Sequence, residues 1–328
     1  MKYDFSGRLK KEFPSQIGVD VTEKCNYACI HCPHATFKES DYYTSALLDV
    51  ALHNKMVDEV REYGKGHTQQ IRYTANGEPL LHPKIYEMLT YAGNYSDNFV
   101  SLTTNGSPLT EKNVKKLIDA NIDMIDISLD AHHSDTYDIV RVGGKLSKVK
   151  ENVLNLIDYR NEIKSKLKIV VSFVKQKENE NEVEDFDKFW KEKGVDFVII
   201  RNLHTAGGAI QENITLPEHF KRKPCVYPWE RIILNSKGQL GFCPTDWTGE
   251  SEIIDYRKTT IKELWDSEYY RSLRQMHLDD NFSACHICKK CKDWVNTSWP
   301  QEKNGRGYGD LISDFRKKTG SKVNAYEQ

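Results

Sequence analysis

The chain has 328 residues, enough for one or two domains of roughly 100–200 residues each. A formal net charge of -1 argues against a nucleic-acid partner, which would need a basic patch or stripe. No apolar run approaches the ~20 residues of a membrane span, so no membrane role is expected. The opening MKYDFSGRLKKEF lacks the apolar stretch of a secretory signal. With 38% apolar and 29% charged residues, the composition is that of a soluble globular protein. The expected setting is the reducing cytoplasm, where clustered cysteines serve metals or catalysis more often than disulfides.

From residue 17 to residue 201 the pattern alternates between strand and helix. Ile17–Thr22 reads as a strand and Ser45–Tyr63 as a helix, with Leu47, Leu48, Ala51, Met56, Val57 and Val60 at helical spacing. Gln70–Thr74 is a strand. His82–Tyr91 is a helix with Pro83 near its start, where a missing N–H costs little. Asn98–Thr103 is a strand, Thr110–Ala120 a helix, Met124–Leu129 a strand, and Val149–Tyr159 a helix. Lys168–Val174 is a strand, Val183–Lys193 a helix, and Phe197–Arg201 the sixth strand. Six such units predict parallel strands with helical crossovers. The fold class is α/β: a partial (β/α)6 barrel, with a doubly wound open sheet as the alternative. In barrels the active site lies at the C-terminal ends of the strands.

The alternation ends near Arg201. A boundary is expected near residue 205, giving a barrel domain over 1–205, a small cysteine-rich extension over 206–300, and a polar tail over 301–328. Within the extension, Ile232–Leu240 reads as a hairpin around Gly238, and Thr260–Met276 reads as helical. A bound cluster would supply the core that this stretch lacks.

The eight cysteines stand at 25, 29, 32, 225, 243, 285, 288 and 291. None lies between Cys32 and Cys225, so two metal sites fit better than scattered core cysteines. Cys25, Cys29 and Cys32 follow the first strand in a C-x3-C-x2-C loop. Thiolates are the usual [4Fe–4S] ligands, and three of them leave one iron open. A structural zinc site completed by His31 or His34 is the alternative. Cys225, Cys243 and the later Cys285-x2-Cys288-x2-Cys291 suit either a second [4Fe–4S] cluster or zinc.

The first loop resembles that of the radical S-adenosylmethionine (SAM) superfamily. Asn76-Gly77-Glu78-Pro79 is similar to the family's GGEP motif, with Asn for the first Gly. Thr103–Gly106, containing Asn105, resembles the end of its third strand. Ser128-Leu129-Asp130 resembles its fourth-strand motif, and Arg141 a following Arg. The resemblance implies that Glu78 and its loop bind the methionine amino group, that Ser128 contacts SAM, and that Arg141 pairs with the methionine carboxylate. His31 stands where the family usually has an aromatic residue, and is expected to offer adenine a flat face. It also implies reductive cleavage of SAM to a 5′-deoxyadenosyl radical, fed by a donor such as flavodoxin or ferredoxin.

The second cysteine group looks like the family's SPASM extension or its shorter form, Twitch, as in 2-deoxy-scyllo-inosamine dehydrogenase. Five cysteines suggest one auxiliary [4Fe–4S] cluster. Cys288, Cys291 and Trp294 resemble the usual C-x2-C-x2-W ending. That leaves Cys285 as the spare, either inert or a hydrogen-atom donor. The implied activity is oxidation of a small polar substrate, a sugar or cyclitol alcohol, with the auxiliary cluster accepting an electron. The alternative is a maturase that oxidises or epimerises a peptide residue. About 16 residues precede the first predicted strand, too few for a peptide-recognition domain. Arg201, His204, Asp246 and Trp247 are the candidate substrate contacts, with Arg201 and Asp246 taken as catalytic.

Overall fold

The computed structural model describes residues 3–74, 76–210, 221–302 and Ile312. Its first six strands are β1 (Gln16–Val19), β2 (Gln70–Tyr73), β3 (Phe99–Thr104), β4 (Met124–Ser128), β5 (Lys168–Lys175) and β6 (Phe197–Asn202). All pair in parallel in the order β6-β5-β4-β3-β2-β1. Helices α1 (His34–Lys38) and α2 (Val50–Tyr63) follow β1, α3 (Ile85–Tyr95) follows β2, and α4 (Glu111–Asp119) follows β3. Then α5 (Ser134–Val140) and α6 (Leu146–Glu162) follow β4, and α7 (Val183–Glu192) follows β5. A doubly wound sheet reverses its strand order at a switch point. Here the order never reverses, so the crossovers share one face and the other face lines a partial barrel.

Side-chain alternation divides the two faces. Ile125, Ile127, Ile169 and Val171 join the helices in the main core. Met124 and Val170 point the other way and pack with Phe99, Phe197, Ile199 and the buried Ile312. Much of the remaining interior is polar. Gln16 Nε2 donates to Gln70 Oε1 at 2.7 Å, and Gln70 Nε2 to Ser101 Oγ at 2.6 Å. Most of the expected tail lies outside the described residues.

At two of the helices that differ from expectation a polar side chain resets the start. α2 begins at Val50, not Ser45, because Asp49 caps it by accepting from Leu52 N at 3.1 Å. Ser45 instead takes a φ of 59°, and Leu47 bridges Thr22. The single helix expected over Thr260–Met276 is two. Thr260 and Glu263 form a capping box on the first, and Ser267 caps the second through Tyr270 N.

After β6 the chain returns to the opposite edge of the same sheet. The extension comprises α8 (Tyr227–Glu230), β7 (Arg231–Leu234), β8 (Gln239–Gly241), β9 (Glu252–Asp255), α9 (Ile261–Trp265), α10 (Glu268–Leu278) and α11 (His286–Lys290). β7 and β8 form the expected antiparallel hairpin, and β9 extends it. β7 also pairs in parallel with β1, from Gln16↔Arg231 to Val19↔Leu234, making one nine-stranded sheet. Gly18 on β1 leaves room for the Ile233 side chain of β7: a Cβ there would lie 2.5 Å from Ile233 Cδ1.

Candidate active site

The loops after β1, β2, β3, β4 and β5 converge at one end of the barrel. Cys25, Cys29 and Cys32 sit in the first of these loops, with Cys29 buried. The loop is tied to the end of α5: Ala28 N donates to Val142 O at 2.9 Å and Ile30 N to Val140 O at 3.3 Å. Burial pushes the Cys25 thiol up to about 11 and the Cys32 thiol up to about 12. Ligation by iron is what would drive such thiols to thiolates.

Glu78 lies in the loop after β2, 3% exposed. Its Oε1 accepts from Leu80 N (3.1 Å) and Thr104 Oγ1 (2.7 Å), and its Oε2 from Asn105 N (2.7 Å). Burial raises its pKa, against the pull of these donors. Asn105 in turn donates to Asn26 Oδ1 at 2.9 Å, linking β3 to the cysteine loop. Glu78 N donates to Lys24 O at 2.8 Å. At Gly77 a Cβ would fall 2.1 Å from Thr22 O and 2.6 Å from Lys24 O. Both are backbone atoms and cannot swing aside. Gly77→Ala is therefore expected to part the Glu78 loop from the cysteine loop and weaken SAM binding at least tenfold. Equilibrium dialysis with SAM checks this, and unchanged affinity would refute it.

Asp130, fully buried after β4, sits at a φ of 60°, a conformation that L-residues rarely adopt. Asn179 holds it there, donating to Asp130 O (2.8 Å) and Val174 O (2.9 Å). Asp130 Oδ1 accepts from Val174 N at 2.7 Å, and Oδ2 pairs with Arg141. Arg141 Nη1 also reaches Cys29 Sγ at 3.6 Å. His31 Nε2 lies 3.3 Å from Asp130 Oδ2, with Gln176 Nε2 3.3 Å from its Nδ1. Burial pushes His31 down to about 4, so it faces Asp130 as a neutral donor and Arg141 alone balances the carboxylate. Ser128 is half-buried at the end of β4.

Asp20, 5% exposed just after β1, is pushed well above the carboxylate range by burial and then by Glu23. An acid whose pKa is higher folded than unfolded holds more protons in the folded state. Stability then falls as pH rises above the unfolded value of ~4 towards the folded one. Asp20→Asn removes this loss, so its advantage in Tm over the wild type should widen from about pH 4 upward. A difference constant across that range in thermal melts would refute it.

The second cysteine group lies beside this mouth. Cys225 precedes α8, Cys243 follows β8, Cys285 and Cys291 bracket α11, and Cys288 lies within it. A thiol hydrogen bond between Cys285 and Cys288 lowers the pKa of the first and raises that of the second. Asp293, two residues after Cys291, accepts from Thr205 Oγ1 (2.7 Å) and Gly207 N (2.8 Å), pinning the loop after β6. Asn76 Nδ2 donates to Asp246 O at 3.1 Å, joining the Glu78 loop to the loop after Cys243.

The expected substrate residues are occupied within the protein. Arg201 Nη2 pairs with Asp126 Oδ2 at 2.6 Å inside the barrel. Asp246 accepts from Thr248 N, Thr248 Oγ1, Gly249 N and Ser251 N. Those bonds build its own loop, so its carboxylate serves positioning here. His204 Nδ1 accepts from Ala206 N at 3.0 Å, and Trp247 packs against Phe37 with ring centroids 5.4 Å apart. Asn179, Asp293 and His277 were missed. Only Asp293 carried a signal, its closeness to Cys291.

The Radical SAM superfamily model matches residues 19–189. The chain belongs to the radical SAM superfamily. An iron–sulfur cluster-binding domain model, SPASM, matches residues 225–292. This radical SAM enzyme thus takes a [4Fe–4S] cluster, SAM and an auxiliary cluster, and thiols are the ligands that iron–sulfur clusters use. A probable GTP 3',8-cyclase of Methanococcus maripaludis is 31% identical over 43% of the chain and 44% of its own length. The chain thus spans under half of that relative. A tungsten-containing aldehyde ferredoxin oxidoreductase cofactor-modifying protein of Pyrococcus furiosus is 26% identical over 79% of the chain and 71% of its own length.

BtrN in complex with AdoMet and 2-DOIA is similar in fold, with a TM-score of 0.59 and 19% identity over 86% of the chain and 94% of BtrN. Streptococcus suis SuiB bound to precursor peptide SuiA has a TM-score of 0.63 and 14% identity over 80% of the chain and 67% of SuiB. Among the described residues, no helix is long and apolar enough to cross a membrane.

Proposed function

We propose that this radical SAM enzyme is an oxidoreductase acting on a small polar substrate, a sugar or cyclitol alcohol. When bound, the first cluster and SAM supply a hydrogen-abstracting 5′-deoxyadenosyl radical, and the auxiliary cluster supplies an electron acceptor. Cys25, Cys29 and Cys32 hold the first cluster. Glu78 and Arg141 orient the methionine amino and carboxylate groups, Ser128 contacts SAM, and His31 faces adenine. Cys225, Cys243, Cys288 and Cys291 hold the second cluster, and Cys285 is the spare thiol.

The carrying observation is the Asp293 clamp, which ties the auxiliary segment to the loop after β6 at the barrel mouth. A carbinol that loses a hydrogen atom must shed one more electron and a proton to become a ketone, so an acceptor at the same mouth suits oxidation.

The test is anaerobic turnover with a panel of aminocyclitols and sugar alcohols, reading ketone against 5′-deoxyadenosine. A ketone formed in step with 5′-deoxyadenosine supports the proposal. The likeness to SuiB with its precursor peptide favours peptide modification as the second reading. If a peptide alone stimulates 5′-deoxyadenosine formation, that reading replaces the first.

A further inference from the structure

His277, on α10, is 3% exposed. Its ring lies edge-on to Phe282, with centroids 4.9 Å apart, and near Trp229 at 6.4 Å. Its Nδ1 lies 3.4 Å from the backbone N of Cys225, and its Nε2 3.6 Å from Cys288 Sγ. A backbone N–H only donates, so Nδ1 is the acceptor. Neutral imidazole has a single N–H, which therefore sits on Nε2 and points at the Cys288 sulfur.

We infer that His277 donates an N–H···S hydrogen bond to the Cys288 ligand of the auxiliary cluster and raises that cluster's reduction potential. The inference rests on the assignment of Cys288 as a ligand. Reduction adds negative charge to the cluster and its sulfurs. A donor aimed at one sulfur stabilises the reduced form more than the oxidised one, as hydrogen bonds to cluster sulfurs do. The same ring ties the main chain at Cys225 to the side chain of Cys288. It thus spans the two segments that bring thiolates from either side of β7–β9. His277 is a positioning and tuning residue, with no contact to substrate.

The test uses the full chain with Cys25, Cys29 and Cys32 all replaced by Ala, so that only the auxiliary cluster remains. Anaerobic redox titration followed by electron paramagnetic resonance compares His277 with His277→Phe and His277→Gln. His277→Phe is expected to disfavour reduction about tenfold, which is about 59 mV for one electron. His277→Gln keeps an N–H near the Nε2 position and is expected to recover at least half of that shift. A His277→Phe protein with full iron and unchanged potential overturns the inference.

If His277→Phe loses its iron, His277→Gln decides. A near-native potential there supports the donor role, and a shifted potential or loss of iron assigns the ring to packing and overturns it. Cys288→Ala with undiminished iron would instead refute the ligand assignment.

Discussion

Asp130→Ala is expected to destabilise the protein by about 3–5 kcal/mol, the usual cost of breaking a buried ion pair by removing one partner. Asp130 has no solvent exposure and Arg141 is 7% exposed, so the guanidinium would be left buried without its carboxylate. The change also removes the acceptor for Val174 N and places a β-carbon with no side-chain acceptor at a φ of 60°. Asp130→Asn tolerates that backbone and keeps an oxygen for Val174 N, so it should lose less stability. Both should misplace Arg141 and weaken SAM binding. Urea melts of the two variants check the order. Equal losses would mean that the ion pair, which both variants lose, dominates and that the backbone conformation contributes little.

Cys29→Ala is expected to remove the radical SAM cluster while leaving the auxiliary one. Formation of 5′-deoxyadenosine under dithionite should fall to the uncatalysed background. Iron content should drop by the complement of one cluster and no more. Cys29 is the buried member of the triad and the one Arg141 reaches at 3.6 Å, so the loss also leaves Arg141 without its sulfur neighbour. Persistence of 5′-deoxyadenosine at about a tenth of the wild-type rate or more would reject the ligand role. Loss of all iron would show that the two sites do not load independently.

The barrel was legible because its strands and helices keep distinct hydrophobic periods, and because a parallel pair needs a helical crossover between its strands. The order of Cys25, Glu78, Ser128 and Arg141 was legible for the same reason: Cys25 and Glu78 follow strands, Ser128 ends one, and Arg141 closes the helix that follows it. What stayed hidden depends on partners far off in sequence. Nothing local marks Asn179 as the support for Asp130, or His277 as a neighbour of both Cys225 and Cys288. The parallel pairing of β7 with β1 was hidden too. A short strand inside a hairpin reads the same whether its outer edge meets solvent or another strand. Asp246 stands three residues after Cys243, which suggests chemistry, and the bonds its carboxylate accepts run to its own loop.

The junction between β1 and β7 has a consequence for synthesis. Ser15 and Glu230, which meet at its foot, are 215 positions apart. At the ~5–20 residues per second of translation, the β1 edge waits on the order of ten to forty seconds for the strand that covers it. Through that interval the nascent barrel carries an unpaired edge, the kind of surface on which chains join to one another. Until β7 arrives, that edge is free to pair with a strand of another chain.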